Sequence, residues 1–144
     1  MTRHERGAIE VMPAADCWSY LRSQELGRLA ILVDGRPEIF PVNYQLTADG
    51  IVFRTAPGTK LSHGSGSVAA FEVDGYEATT GTGWSVVVQG PLEEVTRHAG
   101  ADASVYPYAA GAKEHVMLVA PERVTGRRFS WDPLAPPLWF ATSC

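Results

Sequence analysis

Cysteine is scarce. Cys17 and Cys144 are the two in 144 residues, and neither has CxxC or Cys/His spacing around it. No disulfide framework or thiolate metal site is written here, and both are expected as reduced thiols. His4, His63, His98 and His115 are scattered without HxH or HxxxH spacing, so no local zinc site is encoded. Long hydrophobic runs are absent. The longest, Leu29 to Val33 and Val116 to Ala120, fall far short of the roughly 20 residues that cross a bilayer. Positive charge is also short, with 12 basic against 16 acidic residues and a net charge of −4, so nucleic acid is not an expected partner. The start, Met1 to Glu10, lacks an apolar core segment of the secretory type, and the cytoplasm is the expected location.

What is present is the composition of a globular protein, 45% hydrophobic and 19% charged. One domain over residues 1–144 is expected, with residues 1–10 as a flexible tail. Pro13 can open a helix, because its missing N–H is one the first turn leaves unbonded anyway. Ala14, Cys17, Trp18 and Leu21 then recur at helical spacing, and Gly27 is the expected stop. Beyond it, Leu29–Val33, Pro37–Leu46 and Ile51–Thr55 are separated by Asp34-Gly35 and Asp49-Gly50. Asp-Gly between apolar runs predicts tight hairpins, so three antiparallel strands follow.

In the middle strand Pro41 cannot donate to a ladder, which predicts an edge or a bulge at that point. Val68–Asp74 and Trp84–Thr96 are further strands, with a Gly- and Thr-rich loop over Gly75–Gly83. A short helix and a loop are expected over Arg97–Lys113. Glu114–Trp131 reads as one long strand broken by a bulge at Pro121. The sum is a mainly β fold: a six-stranded antiparallel barrel with one or two flanking helices, which the family resemblance given below makes a split β-barrel.

Two stretches carry chemistry. Arg54-Thr55-Ala56-Pro57-Gly58-Thr59-Lys60 places a turn, two hydroxyls and two cations at the end of a strand, the donor set of a phosphate site. By itself such a turn reads as an ordinary solvated connection, and the phosphate reading needs support from elsewhere in the chain. Phe40-Pro41-Val42-Asn43-Tyr44, freed from ladder pairing at Pro41, can offer backbone groups and the Asn43 amide to the polar edge of a flat ring, or can be a barrel strand with a structural proline. No general acid or base stands out; Tyr44, His63, Tyr76 and His115 are the residues able to supply a proton.

These stretches, with Ile51-Val52-Phe53-Arg54-Thr55, Gly58-Thr59-Lys60-Leu61, Val68 to Asp74 and Gly83 to Gly90, resemble the pyridoxamine 5′-phosphate oxidase-like superfamily, its small flavin-binding split-barrel members most closely. The resemblance spans Gly27 to Arg128. It implies a homodimer with FMN at the interface. Pro41, Val42, Asn43 and Tyr44 would lie along the ring, Arg54, Thr55, Thr59 and Lys60 would hold the phosphate, and Ser85 would contact the flavin, reaching from the partner. Trp84, Arg128 and Trp131 are further lining candidates. The implied activity is electron transfer from a reduced nicotinamide or deazaflavin to a small organic acceptor. A flavin or haem carrier and an F420-dependent reductase are the alternatives. The chain has no counterpart of the C-terminal Arg and His segment that binds vitamin B6 substrates in true pyridoxamine phosphate oxidases, so that oxidation is not expected.

Overall fold

The computed structural model describes residues 8–56, 58, 60, 61, 63–95, 115–132 and 134. Among them are eight strands and one helix: β1 (Ala8–Val11), α1 (Ala14–Arg22), β2 (Leu26–Val33), β3 (Arg36–Thr47), β4 (Gly50–Thr55), β5 (Val68–Glu77), β6 (Thr82–Glu94), β7 (His115–Val119) and β8 (Arg123–Ser130). Pairing runs β6–β5–β2–β3–β4–β7, and β7 returns to β6, which closes a six-stranded antiparallel barrel. β8 and β1 extend the sheet outward from the upper half of β6.

Alternation builds the wall. Leu29 and Ile31 on β2, Val42 and Tyr44 on β3, Phe71 and Val73 on β5, and Val86 and Val88 on β6 point inward and are buried. Each large side chain so buried contributes about 1.5–3 kcal/mol. From α1, Cys17 and Leu21 join the same core. The helix begins after Pro13, as predicted, and is anchored by the Tyr44 hydroxyl, which donates to the Leu21 carbonyl at 2.5 Å.

β6 changes partner along its length. Residues 92–94 pair with β7 and residues 82–89 with β8, so β7 and β8 follow one another along a single edge, broken at residues 120–122. Four steps from Val119 to Arg123 face three from Leu92 to Gln89, which is the bulge expected at Pro121. Gly90 sits under it: a Cβ there would overlap the Ala120 carbonyl.

Several expectations are corrected. Residues 8–10, read as tail, belong to β1, whose pairing with β8 depends on a partner far along the chain. Gly27 does not stop the helix, which ends at Ser23. It lies in β2, where the Phe71 ring occupies the space of its missing side chain. Asp34 and Gly35 take positive φ between paired Val33 and Arg36, as a type I′ hairpin requires. At the next hairpin the paired residues are Thr47 and Gly50, so the loop is Ala48-Asp49 and not Asp49-Gly50. The Gly75–Gly83 loop shrinks to residues 78–81, because β5 and β6 stay paired out to Glu77 and Thr82. Asp74 to Glu77 is accordingly strand. Pro57, Thr59, Glu114, Cys144 and the helix expected within Arg97–Lys113 lie outside the described residues.

Candidate functional site

β3 is paired with β2 from Arg36 to Asn43, and β4 meets it only from Tyr44 to Thr47. Before Tyr44, among the described residues, the other edge of β3 has no strand beside it. That is the edge expected from Pro41, and it splits the barrel wall. A cleft of about 870 Å³ opens there. Pro41, Val42, Asn43 and Tyr44 form one wall; Phe53, Arg54, Thr55 and Ala56, at the end of β4, form the other. Two stretches separated in sequence by residues 45–52 thus line one opening.

The chemistry of the lining is graded. Arg54, exposed, and Thr55, buried, both line the β4 end of the cleft, which therefore holds a guanidinium and a hydroxyl. Asn43 and Gln45 alternate along β3 and bring amides, which both donate and accept. Val52, Leu61 and Val116 supply apolar area. Tyr44 gives its ring to the lining and its hydroxyl to α1. Burial pushes that hydroxyl up to about 12, so it stays protonated and serves as an anchor.

The remaining expected site residues are distributed elsewhere. Lys60 does not line the cleft; its ammonium bonds the Glu38 carboxylate on β3 at 2.7 Å. Ser85 lies on β6 between Asp74 and Arg127, and it is not part of the cleft lining. Thr59 is outside the described residues. Trp84 and Arg128 line a second cleft of about 520 Å³ that shares no lining residue with the first. There the Arg128 guanidinium is 5.5 Å over the Tyr20 ring and donates to Asp16 at 3.1 Å. Tyr76 lines the second cleft and stacks on Trp131 at 4.9 Å. His115 is directly across from Thr55 on β7, and its Nδ1 is held by the Glu94 carboxylate. His63 belongs to the turn after Lys60, where its N–H donates to the Lys60 carbonyl.

Sequence reasoning missed Glu25, Gln45, Leu61 and Val116 as lining residues. Gln45 was within reach, since it shares a face with Asn43. Glu25 had no local signal; it is placed by its carbonyl accepting the Tyr44 N–H at 3.0 Å. Outside the cleft, β2, β3 and β5 present Leu32, Ile39 and Val68, each about two-thirds exposed, on the outer side of the wall. Beside them Arg28 bonds Glu72 at 2.9 Å and Asp74 at 3.0 Å. Burial, reinforced by the Asp74 carboxylate, holds the Glu72 carboxyl above its usual range despite Arg28.

Among the described residues no group of three or more metal-ligating side chains occurs, and no helix is long and apolar enough to cross a membrane. Residues 13–128 match the family described as pyridoxamine 5′-phosphate oxidase. An uncharacterized protein of Mycobacterium tuberculosis is 32% identical over 125 residues, 81% of this chain and 82% of the relative. The structure of an FAD-binding protein from Mycobacterium smegmatis superposes with a TM-score of 0.68 at 34% identity, covering 84% of this chain and 98% of that one. An FAD- and haem-binding protein of the same organism shares the fold with a TM-score of 0.64 at 15% identity, over 97% of this chain and 81% of that one.

Proposed function

Because the chain belongs to the pyridoxamine 5′-phosphate oxidase family, we propose that the cleft at the split of its barrel binds a flavin nucleotide and that the protein is a flavin-dependent oxidoreductase. One observation carries the reading: β3 at Pro41–Tyr44, whose edge before Tyr44 has no described strand beside it, and the Arg54-Thr55 end of β4 line the same opening. The described donor set fits the cofactor. A guanidinium matches a phosphate monoester with paired N–H donors, and the Thr55 hydroxyl adds a further one. The backbone of β3 that faces no strand, with the Asn43 amide, supplies hydrogen bonds to the polar edge of the ring. In this reading Thr59 and Lys60 would complete the phosphate end, Lys60 turning from Glu38 to do so. The likeness to an FAD-binding protein at 34% identity supports the same cofactor class.

FMN and the flavin half of FAD share ring, ribityl chain and first phosphate, so the cleft residues named above serve either. When bound, the flavin supplies hydride and electron transfer at its ring, with a reduced nicotinamide or deazaflavin as donor and a small organic molecule as acceptor. The chain's part is to grip the phosphate, align the ring along β3 and shut water from its inner side with Val42, Tyr44 and Phe53. Tyr44 supplies no proton at neutral pH, because its hydroxyl is bonded to Leu21 and its ionisation lies near 12.

The working unit in this reading is a homodimer. The outer patch of Leu32, Ile39 and Val68, next to the Arg28–Glu72–Asp74 network, supports it: a partner would cover the apolar groups and further desolvate the ion pairs. Ser85 is on that same side of the sheet and would reach the partner's flavin rather than its own.

The test is direct. Titration of the purified protein with FMN and with FAD is expected to quench flavin fluorescence to saturation with at least one of them; no change with either contradicts the reading. Reduction of the bound flavin by NADPH or reduced F420 marks an oxidoreductase, and resistance to both marks a carrier. Sedimentation is expected to give twice 15.6 kDa, and a monomer removes the shared-site arrangement.

A further inference from the structure

Lys60 is committed elsewhere. Its ammonium is 2.7 Å from Glu38 Oε1, and Glu38 sits on the stretch of β3 that has, among the described residues, no strand on its β4 side. The pair therefore ties the turn after β4 to the free edge of β3, beside the split. Arg54 and Thr55, at the start of the same turn, line the cleft. A carboxylate is thus built next to the group expected to meet a phosphate, on a partner that a phosphate would also use.

We propose that Glu38, which with Lys60 stands outside the cleft lining, determines the specificity of the cleft: it competes with the ligand's phosphate for Lys60 and so sets how much of the binding a phosphate contributes. This rests on the flavin-nucleotide reading of the cleft. Two physical effects act in the same direction. The Lys60 charge, already neutralised in part by Glu38, attracts a second anion less, and the Glu38 carboxylate repels a phosphate brought to the same ammonium. The pair is well exposed, so both effects are modest and screened by salt. A phosphate-free flavin meets neither. Glu38 thereby holds down the advantage of FMN over riboflavin, and keeps FMN exchangeable rather than permanently held.

The experiment compares FMN and riboflavin binding, by fluorescence titration at low and high salt, for the wild type, Glu38→Gln, Lys60→Met and the double variant. Glu38→Gln is expected to tighten FMN by about threefold to tenfold at low salt, with riboflavin unchanged and the gain shrinking as salt is added. The gain should vanish in the double variant. If Glu38→Gln leaves FMN affinity unchanged or weaker, or tightens riboflavin equally, the inference is overturned while the flavin reading stands. If FMN binds none of the four proteins, this inference is overturned; if FAD binds none of them either, the flavin reading falls with it. Thermal melts of each variant check folding, and Glu38→Thr, which suits a strand, replaces Glu38→Gln should that variant fail to fold.

Discussion

The barrel opens on one side and seals on the other, and the two sides solve the same problem with opposite residues. At the split, β3 carries a proline where a neighbouring strand would demand an N–H, and β4 joins only from Tyr44 onward. At the seam, β6 must serve β7 and β8 in turn, and it carries a glycine where the bulge brings the Ala120 carbonyl against it. A missing donor keeps the wall open. A missing side chain lets it close. Binding capacity and stability are therefore assigned to different strands, so a substitution at one side should spare the other.

The largest effect expected is at the seam. Gly90→Ala puts a Cβ into a backbone carbonyl that cannot move without breaking the bulge, at a cost of about 3 kcal/mol or more. Chemical denaturation measures it, and a loss below about 1 kcal/mol would show the seam to be slack. Next comes Arg54→Ala at the split. It should weaken FMN by about 10- to 100-fold, the worth of a charged hydrogen bond, with the melting temperature nearly unchanged. Equal loss of FMN and riboflavin binding would move Arg54 away from the phosphate.

Tyr44 belongs to both halves of the contrast, since its ring lines the cleft and its hydroxyl holds α1. Tyr44→Phe is expected to cost about 1 kcal/mol of stability. Its ionisation is raised in the folded protein to about 12, against roughly 10 when unfolded. The stability it gives is complete below pH 10 and is lost as pH rises toward 12. The wild type should therefore lose stability more steeply than Tyr44→Phe across that window, and parallel curves would place the hydroxyl in water. The smallest effect is Pro41→Ala, expected to cost about 0.5 kcal/mol through a freer unfolded chain. A gain above 1 kcal/mol would show that a strand can pair there after all.

How much of this was legible in the sequence depends on range. Alternation, the Asp34-Gly35 hairpin and the helix after Pro13 are local features, and each appears where the residues place it. Gly75 and Gly83 misled, because glycine reads as a turn. In the folded sheet each lies under an aromatic ring, Trp84 over Gly75 and Phe129 over Gly83, and the strands run on. β1 was invisible since β8, its one strand partner among the described residues, lies over a hundred residues away. At the site, Pro41–Tyr44 and Arg54-Thr55 could be nominated from residue chemistry and family resemblance. The Lys60–Glu38 bond could not, because nothing local tells a lysine which of several carboxylates will be nearest after folding.

The most direct single measurement is a crystal structure of the protein grown with FMN. The expected result has the phosphate within hydrogen-bond reach of Arg54 and Thr55 and the ring along Pro41–Tyr44. A flavin seated instead in the Tyr20–Trp84 cleft, or an opening at the split that stays filled with water at saturating FMN, would contradict it.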